Sequence, residues 1–160
     1  MVRALVLYHT LHGNTGRLAE GLADGLRTQR IETDCLGIHE INVDKIRGYD
    51  FLAIGGPTHN LGLSKDMKAF LQKLQSLELK GMSVFSFDTR TDLPMNNSRL
   101  RFLENSAAKR IEATMRRLKM KVIRPRESGL VGGTRGPLES SAEDAFIQIG
   151  KDIGALLTCT

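Results

Sequence analysis

Short runs of consecutive apolar residues alternate along this chain with stretches in which apolar residues recur every three or four positions. Three runs are continuous enough to predict strands buried on both faces, namely Ala4–Tyr8, Phe51–Ile54 and Met82–Phe87. Ile31–Ile38 is a weaker run with polar interruptions, as expected for a strand nearer the edge of a sheet. Val122–Ile123 and Leu130–Val131 mark a last strand, either continuous or split.

Four helical patterns lie between these runs, each with its apolar positions on one face of the helix. They comprise Leu18, Leu22 and Leu26; Met67, Phe70, Leu71 and Leu74; Ala108, Ile111, Met115 and Leu118; and Ala142, Ala145, Phe146, Ile149, Ile153 and Leu156. We interpret these faces as the ones that pack on the core. The stretch Asn42–Tyr49 is too short for more than one or two helical turns.

Strand and helix therefore alternate throughout, which predicts an α/β fold with a parallel sheet covered by helices on both sides. We predict a five-stranded doubly wound sheet in a single domain over residues 1–160, because the chain shows neither an internal repeat nor a linker. Ligands of such folds bind beyond the carboxyl ends of the strands, where the strand order reverses. The segments that follow the strands are therefore the candidate binding segments.

The segment Thr10–Thr15, with the sequence Thr-Leu-His-Gly-Asn-Thr, connects the first predicted strand to the first predicted helix. Hydroxyl groups, a glycine and the N–H groups of a helix N-terminus at one place suit a phosphate. Because no Lys stands at the P-loop position, the segment is not a nucleoside-triphosphatase motif. The alternative interpretation is an ordinary strand-to-helix turn in which Asn14 and Thr15 cap the helix.

Two further strand ends carry unusual sequences. Gly55–Asn60 has the sequence Gly-Gly-Pro-Thr-His-Asn, whose glycines let a ligand approach the backbone and whose proline stiffens the turn. Asp88–Asp92 has the sequence Asp-Thr-Arg-Thr-Asp and follows the next predicted strand. In a parallel sheet these two loops and Thr10–Thr15 are expected at the same edge.

Together the three segments resemble the flavodoxin family of flavin mononucleotide (FMN) proteins, and the resemblance covers essentially the whole chain. It implies a sheet with strand order 2-1-3-4-5 and FMN as the cofactor, with the phosphate held by the first segment. The FMN-binding residues that it implies are Thr10, Leu11, His12, Gly13, Asn14, Thr15, Pro57, Thr58, His59, Asn60, Asp88, Thr89 and Arg90.

The chain departs from the family's usual pattern around the flavin ring. His12 replaces a hydroxyl residue, and His59 stands where many flavodoxins have Trp or Tyr; each is alternatively a loop histidine without a ligand. The third segment has no aromatic residue. Arg90 near the pyrimidine end of the ring would favour the anionic reduced flavin and a less negative midpoint potential. Alternatively, Arg90 pairs with Asp88 or Asp92.

The resemblance implies an electron carrier that shuttles electrons between redox partners, since the cofactor supplies the reaction. The alternative is a flavin oxidoreductase acting on a small substrate, of the quinone reductase or protoporphyrinogen oxidase type. Such enzymes commonly need an insertion, an oligomer contact or an open ring face, and Leu93–Asn105 is the only candidate insertion. A signalling receiver domain, which is a fold relative without flavin, is disfavoured, because Tyr8-His9-Thr10 closes the first strand without an acidic pair. A flavin-free scaffold stays open as an alternative, because the aromatic stacking residues are missing.

The net charge of +5 is unevenly spread, since residues 81–135 contain 12 Lys and Arg against 5 Asp and Glu. The densest group comprises Lys109, Arg110, Arg116, Arg117, Lys119, Lys121, Arg124 and Arg126. Nucleic acid is not an expected partner, because no aromatic residues interleave with these cations. The group is either a solvated face or a surface for an acidic redox partner.

The two cysteines, Cys35 and Cys159, have neither metal-site spacing nor the density of a disulfide framework. We also find no signal peptide and no apolar run long enough to span a membrane. We therefore expect a cytoplasmic protein with no metal site and no membrane partner.

Overall fold

The computed structural model describes residues 1–58, 62–91, 106–133 and 135–159. Its strands are β1 Arg3–Tyr8, β2 Glu32–Gly37, β3 Phe51–Pro57, β4 Ser83–Thr91, β5 Lys121–Val122 and β6 Glu127–Val131. Its α-helices in these ranges are α1 Asn14–Thr28, α2 Lys65–Leu74, α3 Ala107–Arg117 and α4 Ala142–Thr158, and a short 3-10 helix spans Val43–Gly48. None of these helices has both the length and the apolar character needed to cross a bilayer.

The strands form one sheet in the order β2-β1-β3-β4-β5, and β6 also pairs with β4. Every pairing between two strands is parallel. β5 pairs with Ser83–Val84 and β6 pairs with Phe87–Thr91, so the two short strands follow one another along the same side of β4. The doubly wound order 2-1-3-4-5 is therefore confirmed, and the last strand is split in two.

Apolar clusters cover both faces of the sheet, as a central parallel sheet requires. In β1, Ala4 and Val6 pack in the cluster formed with α1 and α4, whereas Leu5 and Leu7 pack in the cluster formed with α2 and α3. This alternation follows from the two-residue period of a strand. The predicted helix faces are buried at most positions. In α4, however, Ala145 and Leu156 are exposed, so these two residues do not belong to the face that packs on the core.

α1 and α4 approach each other through two glycines. A Cβ atom at Gly25 would overlap the carbonyl oxygen of Ile147 and lie 2.8 Å from the Cα atom of Gly150. A Cβ atom at Gly150 would overlap the carbonyl oxygen of Leu22. Since only glycine leaves room for this contact, the two helices meet backbone to backbone, and α4 fixes where α1 lies against the sheet.

β3 and β4 extend beyond the apolar runs that predict them. Gly55–Pro57 belong to β3 and Asp88–Thr91 belong to β4, so the prediction that they lie in loops is wrong. The reason is the backbone ladder, which pairs Pro57 with Thr89 and continues along β6 as far as Thr91. Hydrogen bonding of the main chain thus keeps polar residues extended where the side-chain pattern predicts a turn. The predicted insertion, Leu93–Asn105, lies outside the described residues.

Candidate functional site

Thr10–Gly13 connect β1 to α1 and leave the first turn of α1 open. Gly13 is the N-cap residue, with φ of 89°, a left-handed conformation that suits glycine. Its N–H donates to Oγ1 of Thr10 at 2.8 Å, which closes the loop. Among the described residues no side chain caps α1, so the interpretation of Asn14 and Thr15 as ordinary caps is wrong. The free N–H groups and the positive end of the helix dipole therefore face an exposed loop.

Thr15 joins this first segment to β4. Its side chain is buried, and its Oγ1 lies 2.8 Å from Oγ1 of Thr89, with either hydroxyl as the donor. A hydroxyl has one proton and two lone pairs, so Thr15 can keep this bond and still donate to a ligand. Leu11 and His12 are exposed at the tip of the same loop.

Thr58 joins the second predicted segment to the third. Its N–H donates to the carbonyl oxygen of Thr89 at 2.9 Å. Its Oγ1 donates to Oδ2 of Asp88 at 2.9 Å and accepts from the N–H of Ala107 at 3.0 Å. Pro57 and Thr58 are half-buried. The other two residues predicted for this segment, His59 and Asn60, lie outside the described residues.

Asp88 is fully buried and anchors the N-terminus of α3. Its Oδ2 accepts from Thr58 and from the N–H of Ala108, the latter at 3.1 Å, while Oδ1 has no hydrogen-bond partner among the described residues. The positive end of the α3 dipole offsets part of the cost of burying this charge. The carboxylate thus holds Thr58 and the start of α3 in position.

Arg90 is half-buried in β4, and its Nε donates to Oγ of Ser128 on β6 at 3.0 Å. The sequence suggests two partners for Arg90, a flavin or a neighbouring acid, but not this one. Ser128 could not be predicted as a partner of Arg90 for a specific reason. The apolar pattern places the last part of the sheet at Leu130–Val131, whereas β6 already begins at Glu127. Ser128 is therefore a strand residue facing Arg90.

Next to this site lies a cluster that the sequence motifs do not reveal. The nearly buried ring of His9 lies with Nδ1 2.9 Å from Oγ of Ser64 and Nε2 3.4 Å from Oδ2 of Asp66. Nε2 of His39 lies 3.3 Å from the same carboxylate oxygen. Burial lowers the pKa of His9, while the Asp66 charge acts in the opposite direction. These residues come from three separate stretches of chain, so no local spacing identifies them.

The cationic surface on α3 and the strands that follow it is partly neutralised. The buried carboxylate of Glu112 accepts from Arg116 at 3.4 Å and from Arg126 at 3.2 Å, and Arg124 pairs with Glu127 at 3.1 Å. The exposed cations that remain on this surface are Lys109, Arg110, Arg117, Lys119 and Lys121. Lys109 and Arg110 lie in the first turn of α3, the end of the helix that Asp88 anchors.

Comparison with known proteins gives one consistent result. The family model for a flavodoxin domain matches residues 5–131 of this chain. The probable flavodoxin 1 of Bacillus subtilis is 27% identical over 88 residues, which are 54% of this chain and 56% of that protein. A flavodoxin of Synechocystis is 32% identical over 88 residues, which are 54% of this chain and 51% of that protein. The chain thus spans about half the length of the curated relatives it matches.

The fold extends this likeness along the whole chain. A flavodoxin from the domain Archaea has a similar structure, with a TM-score of 0.80 at 18% identity, and the alignment covers 98% of this chain and 99% of that one. At such low identity the likeness is one of fold alone.

Proposed function

The chain belongs to the flavodoxin family, and we propose that it binds FMN and carries electrons between redox partner proteins. The observation that carries this proposal is the open N-terminus of α1, with free N–H groups between the hydroxyls of Thr10 and Thr15. FMN supplies the redox chemistry when bound, and the protein holds it and adjusts its potential. This division of work needs no further catalytic group.

The first segment fits a phosphate monoester. Its donors are neutral hydroxyls and amides at a helix N-terminus, a set that binds phosphate without a lysine. Gly13 is exposed, and a Cβ atom there would meet none of the described residues within 4 Å, so this part of the chain leaves the surface of the loop open at Gly13. We assign the phosphate to Thr10–Thr15, with His12 as an additional donor whose bond becomes charge-assisted when the ring is protonated.

The second and third segments lie next to each other beside the place proposed for the ring. We assign one side of the ring to Pro57, Thr58, His59 and Asn60, and its pyrimidine end to Asp88, Thr89 and Arg90. Support comes from β3 and β4, which bring Pro57 and Thr89 opposite each other and join Thr58 to Thr89 by a backbone hydrogen bond. The Arg90 charge at this edge favours an anionic reduced flavin, so Arg90→Gln should make the midpoint potential more negative. An unchanged potential would remove Arg90 from this role.

A comparison of FMN with riboflavin tests the cofactor assignment, because the two molecules differ only in the phosphate. Titrated into the flavin-free protein, FMN should bind with 1:1 stoichiometry and quench its own fluorescence. Riboflavin should bind about tenfold more weakly or worse, since it cannot make the charge-assisted phosphate bonds. Equal affinities would contradict the phosphate assignment, and no binding of either would contradict the function itself.

The carrier assignment is tested separately on the FMN-loaded protein. After anaerobic photoreduction, it should pass its electrons to a one-electron acceptor protein in single-turnover mixing. Steady-state turnover with NAD(P)H and a quinone should stay at the background rate of free FMN. Sustained quinone reduction above that background would instead identify an oxidoreductase with its own small substrate.

We further propose that the redox partner is acidic and docks on the α3 surface. This proposal is supported by the position of Lys109 and Arg110 in the first turn of α3, whose start is hydrogen-bonded to Thr58 and Asp88 of the proposed ring site. Lys109→Glu with Arg110→Glu should slow electron transfer to an acidic redox protein by about tenfold at low salt. Lys45→Glu with Arg47→Glu is the matched control, since it reverses the same number of charges at two exposed residues of the 3-10 helix that precedes β3. Equal slowing by both variants would contradict this docking site.

We also propose a cytoplasmic location. Its support is the state of the two cysteines, since Cys35 is a partly buried free thiol and Cys159 an exposed one. Free thiols are typical of a reducing compartment. Fractionation of the cells that express the protein, followed by immunodetection, would check the location.

A further inference from the structure

His9, His39 and Asp66 bring two imidazole rings and a carboxylate together at the carboxyl edge of the sheet. His9 directly follows β1, His39 comes two residues after β2, and Asp66 lies in the first turn of α2. Their ligand atoms all lie within 4.8 Å of one another. Three separate parts of the fold thus direct nitrogen and oxygen donors to one point.

The spacing of these atoms matches the coordination sphere of a small divalent ion. With metal–ligand distances of about 2.0–2.2 Å, two ligands of a tetrahedral Zn²⁺ lie about 3.3 Å apart. Oδ2 of Asp66 lies 3.4 Å from Nε2 of His9 and 3.3 Å from Nε2 of His39. Two of the three distances between the ligand atoms therefore already suit a tetrahedral ion. The third, between Nε2 of His9 and Nε2 of His39, can be reached by a rotation of His39, whose side chain is 72% exposed.

Ser64 orients the ring of His9 in the way that metal-binding histidines are commonly oriented. Its Oγ lies 2.9 Å from Nδ1 of His9, which directs Nε2 to the cluster. Ser64 is itself held in place, because it is the N-cap residue of α2 and accepts from the N–H of Met67 at 3.2 Å. The first ligand is therefore rigid, since its ring is also 90% buried.

We propose that His9, His39 and Asp66 form a binding site for a divalent transition-metal ion such as Zn²⁺. Two nitrogen donors favour Zn²⁺, Co²⁺ or Ni²⁺ over Mg²⁺ and Ca²⁺, which prefer oxygen. The partly exposed side chains of His39 and Asp66 give the ion a route in and leave its fourth position to water or another ligand. None of the three proposed ligands is among the residues proposed for FMN, although His9 directly precedes Thr10, so the two assignments share no side chain.

Isothermal titration of the FMN-loaded protein with ZnCl₂ tests this site, in a Cys159→Ser background that removes the exposed thiol. One equivalent of Zn²⁺ should bind, and MgCl₂ should give no binding heat. His39→Gln and Asp66→Asn each remove an exposed ligand and should raise the Kd for Zn²⁺ at least about tenfold. Glu40→Gln is the matched control, because it removes an exposed carboxylate directly next to His39 that belongs to neither proposed site, and it should leave the Kd unchanged.

Thermal unfolding gives a second readout that does not depend on binding heats. Zn²⁺ should raise the Tm of the parent protein, EDTA should reverse the rise, and both effects should be lost in His39→Gln. An unchanged Zn²⁺ affinity in His39→Gln or Asp66→Asn would overturn the proposal, as would an equal loss in Glu40→Gln. Absence of stoichiometric Zn²⁺ binding would show that the three residues form only hydrogen bonds and ion pairs.

Discussion

Replacing Thr15 with Val separates the phosphate contact from the rest of the site. Valine has nearly the same shape as threonine and carries a methyl group in place of the hydroxyl, so the change makes no cavity. Thr15 is 1% exposed, and its Oγ1 lies 2.8 Å from that of Thr89, which is 6% exposed. The hydroxyl that is removed therefore has one known protein partner and one proposed ligand partner.

The substitution has two costs that can be measured independently. In the flavin-free protein it leaves the buried hydroxyl of Thr89 without this partner, which costs about 1–3 kcal/mol of unfolding free energy. In the complex it removes a hydrogen bond to a charged phosphate, worth about 1.5–3 kcal/mol, so the Kd for FMN should rise about 10- to 100-fold. Thr89→Val should lower the free energy of unfolding in the same way, but it should not weaken the binding of the phosphate.

Urea unfolding of the flavin-free protein measures the first cost, and fluorescence titration with FMN and with riboflavin measures the second. Thr15→Val should weaken FMN binding and leave riboflavin binding almost unchanged, whereas Thr89→Val should not distinguish the two flavins. The reasoning is refuted if Thr15→Val leaves the Kd for FMN unchanged. It is equally refuted if both flavins lose the same affinity, because the hydroxyl would then serve the loop and not the phosphate.

Two further predictions concern packing and thiol chemistry. Gly25→Ala should destabilise the protein by about 1–3 kcal/mol in urea unfolding, because the new methyl group meets the backbone of α4 around Gly150. Gly16→Ala is the same change in the same helix and should shift the free energy of unfolding by less than about 1 kcal/mol, since the nearest neighbour of the new Cβ atom is the Tyr8 ring at 3.2 Å. Similar losses of stability in the two variants would refute the backbone contact between α1 and α4. Burial raises the pKa of Cys35 to about 12, so at pH 8 a disulfide reagent should rapidly modify only Cys159. Cys35 should continue to react slowly as the pH rises to 10 if the protein remains folded. Rapid modification of both cysteines at pH 8 would contradict the burial of Cys35.

The order of the central strands could be predicted because side-chain pattern and strand burial coincide there. Leu18, Leu22 and Leu26 recur at helical spacing, and all three are fully buried in α1. The ends of the strands could not be predicted in the same way, since main-chain pairing with a neighbour extends β4 through Arg90. A side-chain pattern carries no information about that pairing, which depends on where β6 lies.

In the candidate site too, only features that are local in sequence could be predicted. Thr10–Thr15 could be identified because strand, loop and helix N-terminus are contiguous along the chain. The orientation of Asp88 could not be predicted, because its partners Thr58 and Ala108 come from other parts of the chain. The contact between His9 and Asp66 could not be predicted from the sequence either, because two crossovers separate these residues along the chain.

The backbone contact between Gly25 and Gly150 has a consequence for the order of events during synthesis. The two glycines are separated by 125 positions, so α1 leaves the ribosome long before α4 can pack against it. Until then the apolar face of α1 lacks its cover, and the helix that presents Asn14 and Thr15 is not held in its final position. Contacts at such separation form slowly, and an uncovered face attracts chaperones or aggregates. FMN should therefore be acquired after translation has passed α4, and not by the growing chain.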